Sequence, residues 1–264
     1  ISVITSIIVP VMAIAYIAIA LWTTIANITW LPAVFGLMFE SAFDFQSIFG
    51  GFAGSVVMLG IKRGLYSNEA GMGSAPNAAA TASVSHPVKQ GLVQMLSVFI
   101  DTILVCSATA MMCLCTGIVP SEQLKGAAFV QQSLSSTFGS VGPYFLTLAL
   151  LLFAFTTLLG NLFYCEGCLN YIAGRTLSHR QMNVFHAFAC VVVFVGAQMK
   201  FGLVWDIADV LMGIMALINL PVILRLGGTA MHALSDYMKQ RHEGKDPVFR
   251  AKNIGLKEKT DYWN

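Results

Sequence analysis

The stretch Gly60-Ile-Lys-Arg-Gly-Leu-Tyr-Ser-Asn-Glu-Ala-Gly-Met-Gly-Ser-Ala-Pro76 interrupts an otherwise apolar chain. It follows an apolar run and holds four glycines, one proline and three charged residues. A continuous lipid-facing helix does not accommodate this. Glycine and proline weaken the helical ladder, and irregular backbone at membrane depth persists only inside protein or beside a water-filled cavity. In transporters such broken helices form binding sites, because freed helix ends offer N–H groups to carboxylates and C=O groups to cations. A polar cytoplasmic loop is the plainer reading. The length of the stretch, and the Ala-rich, helix-like run after Pro76, favour the broken helix.

Composition supports a lipid-solvated chain. Of 264 residues, 56% are hydrophobic and 11% charged, against roughly 25% charged in ordinary soluble domains. Several apolar runs reach the ~20 residues that a helix needs to cross a bilayer. Six spans are expected, at about 3–28, 48–66, 92–118, 143–170, 183–199 and 203–226. Each has to be helical, because hydrocarbon offers no partner to backbone N–H and C=O groups and the runs lack the alternation of a barrel. The expected fold is thus an all-α membrane protein of about six transmembrane helices. Phe129 to Phe138 is expected to form a surface helix outside the membrane. The tail is expected to carry a short amphipathic helix over Ala230 to Gln240, followed by a disordered end.

Several function classes fall away. The net charge of +2 gives no basis for nucleic-acid binding. No glycine-rich stretch leads into Gly-Lys-Ser or Gly-Lys-Thr, so no phosphate-binding loop is present. Cys165 and Cys168 have metal-ligand spacing but lack a second pair, and the six cysteines are read as small buried hydrophobes. His186 lies in a span with no partner in reach by pattern, and the chain is not expected to be an enzyme. The first run follows no Met or basic segment, so it is not a signal peptide, and the chain is expected to have lost its beginning.

Lys and Arg in short loops favour the cytoplasm. Segment 29–47 carries Glu40 and Asp44 without Lys or Arg and is placed outside. The stretch with Lys62, Arg63 and Lys89 is placed inside, as are Arg175 with Arg180 and the basic tail from Arg225. This puts the C-terminus in the cytoplasm.

Polar residues within spans are the remaining candidates. Thr157, Asn161 and Tyr164 line one helix face. Uncharged hydroxyl and amide oxygens suit a partly dehydrated sodium ion, although helix–helix hydrogen bonding fits the pattern equally well. Asp101, Asp206 and Asp209 are functional candidates or members of structural pairs. Trp205 fits an aromatic belt at the outer edge. The run from Gly50 to Ser55, with Gly51 and Ser55 four apart, suits close helix packing.

The segment from Gly60 through Pro76 to Ala82, then His86-Pro-Val-Lys-Gln-Gly91 and Phe99-Ile-Asp-Thr102, closely resembles the alanine/glycine:cation symporter family. The likeness continues through Thr156-Thr157, Val204-Trp-Asp206 and Asp236-Tyr237. It implies a leucine-transporter-like fold of two inverted five-helix repeats with sodium and substrate near the midplane. On that frame, 1–28 is the last helix of the first repeat, 29–47 an extracellular loop, 48–226 the second repeat and 227–264 a cytoplasmic tail. The resemblance implies substrate contacts from Ser67, Asn68, Gly71, Gly73, Ser74 and Trp205, and sodium contacts from Thr156 and Thr157. It implies sodium-coupled symport of a small neutral amino acid, alanine or glycine, across a bacterial inner membrane, with no cofactor beyond the co-transported ion. The partner it implies is a missing N-terminal half. A truncated, non-transporting membrane protein with a scaffolding role is the alternative.

Overall fold

The computed structural model describes residues 2–43, 52–118, 121, 124, 126–256 and 263. Among these, every regular element is helical. In chain order they are α1 (Ser2–Ala26), α2 (Leu31–Phe43), α3 (Phe52–Ser67), α4 (Ala75–Ala79) and α5 (Pro87–Phe99). A π-helical segment, Ile100–Cys106, then leads into α6 (Ser107–Leu114), followed by α7 (Ala127–Phe138), α8 (Val141–Ala173), α9 (His179–Gln198) and α10 (Phe201–His242).

Five stretches are long and apolar enough to span a bilayer: Ile7–Ala26, Pro87–Leu114, Val141–Ala173, His179–Gln198 and Phe201–His242. These lie within the expected all-α class of multi-pass membrane protein. The sixth expected span, 48–66, corresponds to the 16-residue α3. Its beginning, together with Asp44, Gly50 and Gly51 of the sequence reading, lies outside the described residues. The packing expected of Ser55 concerns a side chain that is likewise outside them. Many large apolar side chains face outward, Ile14, Leu151, Phe194 and Leu217 among them, as a lipid solvent permits and water disfavours.

Three expectations are corrected. The segment read as an extracellular loop over 29–47 is helical in its described part, with a 3-10 turn at Ile28–Trp30 and then α2, and its residues 44–47 lie outside the described residues. The tail does not begin with a separate short helix. α10 runs unbroken for 42 residues through Pro221, Gly227 and Gly228, a length of about 63 Å that exceeds a ~30 Å hydrocarbon core. Beyond it the described residues, 243–256 and 263, are ordered: Phe249, Ala251 and Ala233 share an apolar cluster with Val88, Ile254, Leu256 and Trp263. Phe249 N–H donates to Ser85 O at 2.9 Å, Ser85 Oγ donates to Pro247 O, and Lys89 Nζ meets Asp246 at 2.7 Å. This clasp encloses His86. Its Nδ1 accepts the Val88 N–H and its Nε2 faces Asp236 at 3.5 Å, while Tyr237 and Phe249 pack on its ring. Burial pushes the His86 imidazole below its ordinary pKa, against the opposing pull of Asp236.

The chain divides into two units. One comprises Ile1–Ile61 and Phe99–Phe163; the other comprises Lys62–Val98 and Tyr164–Asn264. The first is centred on Tyr16, Ala20, Met112, Leu134 and Leu146. Tyr16 Oη bonds Thr109 Oγ1 at 2.9 Å, and its ring meets Phe153 edge-on. Gly142 lets α8 approach α7 closely, since a Cβ there would lie 2.7 Å from the Leu134 backbone. In the second unit α9 opens with a reciprocal cap: Ser178 Oγ accepts from Gln181 N, and Gln181 Oε1 accepts from Ser178 N. This unit holds the break that follows α3, residues 68–74.

Candidate functional site

The interruption occupies residues 68–74, between α3 and α4. α3 ends in a Schellman motif: Ala70 N–H bonds Leu65 O at 3.0 Å, and Glu69 N–H bonds Tyr66 O at 3.1 Å. That geometry puts Glu69 in the left-handed position, with φ 48°, where glycine is the usual occupant. Gly71 and Gly73 follow at φ 76° and 88°. Both glycines thus sit where the sequence predicts that backbone leaves the helix.

α10 holds this backbone in place. Asn219 Nδ2 donates to Gly71 O at 3.0 Å. A Cβ added to Gly73 would lie 3.1 Å from Asn219 Cγ, and one added to Gly71 would lie 3.1 Å from Leu220 Cδ2. Both glycines are therefore needed twice over, for φ and for space. Asn219 is the sole side chain with a hydrogen-bonding group in the run 210–224, so the break is seated against an otherwise apolar helix stretch. Ser74 Oγ donates to Glu69 Oε2 at 2.6 Å and closes the loop across its mouth. Asn77, in α4, donates weakly to Gly73 O at 3.4 Å.

A second anchor lies earlier on the same two helices. Arg63 makes a bidentate pair with Asp209, both contacts being 3.1 Å. The guanidinium also lies over the Trp205 ring, 4.1 Å from its centroid. Tyr66 and Phe201 meet that ring edge-on. By sequence Arg63 and Lys62 read as loop cations, but both residues lie within α3. The basic residues left to indicate orientation are Lys89, Arg175, Arg180 and those of the tail.

Of the residues named from sequence, Asn68, Gly71, Gly73 and Ser74 form the break, and Ser67 closes α3. Trp205 stands apart from the glycines, packed on Arg63 and Tyr66. Fourteen residues of helix separate it from Asn219, roughly 21 Å along the axis. Thr156 and Thr157 lie on α8 within the first unit. Thr156 Oγ1 donates back to Phe153 O at 3.0 Å, and Thr157 is exposed.

Sequence reasoning misses Asn219, Glu69 and the partner of His186. His186 Nε2 bonds Glu166 Oε1 at 2.6 Å, joining α9 to α8. An intramembrane carboxylate on the preceding helix is the available signal for that pair.

Known proteins resemble the chain along most of its length. An amino-acid carrier protein, AlsT, of Bacillus subtilis is 46% identical over 96% of this chain and 54% of its own length. A probable sodium/glutamine symporter, GlnT, of the same organism is 43% identical over 92% of this chain and 50% of its own. The sodium/alanine symporter AgcS of Methanococcus maripaludis is 39% identical over 86% and 50%, respectively. The chain thus spans about half the length of the curated relatives it matches. A family model matches residues 1–251. With its helix broken between Ser67 and Ala75 and its apolar spans on either side, the chain belongs to the sodium:alanine symporter family.

Proposed function

We propose that the gene product carries a small neutral amino acid, alanine or glycine, into the cell together with sodium. The observation that carries this reading is the break at residues 68–74. It is a stretch of non-helical backbone seated by Asn219 within an apolar helix run, in a member of a symporter family. Such backbone is costly unless it lines a polar cavity, and freed N–H and C=O groups there suit the two ends of a zwitterion. Relatives named as amino-acid carriers and sodium/alanine symporters support the same reading.

In this account Ser67, Asn68, Gly71, Gly73 and Ser74 contact the substrate, and Trp205 borders its path. Thr156 and Thr157 offer hydroxyl oxygens to sodium, a hard cation. Substrate and ion together stabilise one conformation over the other, and that differential affinity couples their movement. The setting is a bacterial inner membrane with the C-terminus in the cytoplasm.

The ion assignment is tested by Thr156→Val and Thr157→Val in the intact gene product. Valine keeps the shape and removes the oxygen. The sodium concentration for half-maximal uptake is expected to rise about tenfold or more, as the loss of one ion ligand implies. Unaltered sodium dependence in both variants would overturn it.

A further inference from the structure

Glu69 occupies a backbone position that its residue type disfavours. At the C′ site of the Schellman motif φ is 48°, and any side chain beyond glycine is strained there. Glycine would close α3 with the same two backbone hydrogen bonds. What glutamate adds at this position is its carboxylate.

The carboxylate is only lightly engaged. Ser74 Oγ donates to Oε2 at 2.6 Å, and among the described residues no Lys, Arg or His side chain is paired with it. Arg63, the arginine of the same helix, is committed to Asp209 through both of its terminal nitrogens. The neighbouring Asn219 spends its Nδ2 on Gly71 O, and among the described residues its Oδ1 accepts no hydrogen bond. The break therefore presents a half-buried carboxylate that accepts from the Ser74 hydroxyl, and its backbone is seated by an amide whose oxygen accepts no hydrogen bond among the described residues. A partly buried carboxylate without a counter-charge is a ready partner for a cationic group.

On the symport reading above, which this inference rests on and deepens, we propose that the Glu69 carboxylate binds the positive charge of a transported species. That charge is either the ammonium group of the amino acid or the co-transported alkali cation. Ser74, besides its place among the substrate contacts, aims the carboxylate through its hydroxyl. Neither Glu69 nor Asn219 is among the residues expected from sequence.

The test uses the intact gene product in proteoliposomes, with alanine uptake measured at varied alanine and at varied sodium. Glu69→Gln retains an oxygen for the Ser74 hydroxyl and removes the charge. Glu69→Gly removes the carboxylate and relieves the backbone strain, so it folds at least as well as the native chain. Both are expected to lose about tenfold or more in apparent affinity for one ligand, with Glu69→Asp retaining more activity than either. A shift confined to alanine identifies the ammonium as the bound group; a shift confined to sodium identifies the cation. Glu69→Gly transporting with native affinities for both would show that the residue is only a helix cap and would overturn the proposal. Absence of sodium-driven uptake in the native protein would sink the symport reading and this inference with it. Native uptake with an unaffected Glu69→Gln sinks this inference alone.

Discussion

Alanine at position 73 is expected to destabilise the break by about 1.5–3.5 kcal/mol, a sum of two structural terms. The first is conformational: φ is 88° at Gly73, and placing a Cβ in the left-handed region costs about 1–2 kcal/mol. The second is steric. The new methyl would lie 3.1, 3.2 and 3.3 Å from Cγ, Oδ1 and Nδ2 of Asn219. The carboxamide has to move, and its 3.0 Å bond to Gly71 O is lost, at about 0.5–1.5 kcal/mol. Gly64→Ala is the matched control. Gly64 lies within α3, and a methyl added there would have nothing within 4 Å; alanine at that position contributes about 0.5–1 kcal/mol of stability. Thermal unfolding in detergent and hydrogen exchange of amides 68–74 would report both. Gly73→Ala should lower the melting temperature and speed exchange in the break, and Gly64→Ala should do neither. Adding Asn219→Ala to Gly73→Ala should cost less than the two single changes together, because the clash is removed with the amide. If Gly73→Ala proved as well tolerated as Gly64→Ala, the seating of the break on α10 would be refuted.

Two further outcomes follow from the second unit. Asp209→Asn leaves Arg63 without its counter-charge and should destabilise by about 1–3 kcal/mol, between the values for exposed and buried pairs. The double change Arg63→Met with Asp209→Leu should recover most of that loss, and thermal unfolding of the three variants checks it. For the tail clasp, burial holds the His86 pKa below its ordinary 6.5. The released tail therefore binds a proton more readily than the docked one as pH falls through that value. Docking is full above about pH 6.5 and weakens below it. The protection factor of the Phe249 amide, bonded to Ser85 O, should fall on acidification from about pH 7.5 to about 5.5 once the slowing of intrinsic exchange over that range is divided out. His86→Gln should flatten that response, and an unchanged response would refute the assignment.

The parts legible in sequence are those fixed by local physics. Apolar length marks the spans. Gly71 and Gly73 beside Pro76 mark the break, because positive φ and close approach both call for glycine. Other parts depend on partners distant in sequence. Arg63 reads as a loop cation until Asp209, 146 residues on, is seen to hold it. Asn219 reads as one amide in an apolar run, and nothing local tells a helix–helix bond from a clamp on Gly71 O. Gly227 and Gly228 suggest an end to α10, yet the helix continues through both. The polar composition after Gln240 suggests disorder. Order there comes from Ser85, Lys89 and Val88, which lie more than 150 residues earlier in the chain.

Sodium-coupled uptake is tested by alanine accumulation in proteoliposomes that contain the intact gene product and start with sodium only outside. Alanine should accumulate uphill, and the accumulation should collapse when the sodium gradient is dissipated and weaken when Asn219→Leu removes the clamp on Gly71 O. Accumulation indifferent to sodium, or no accumulation above the level of protein-free vesicles, would contradict it.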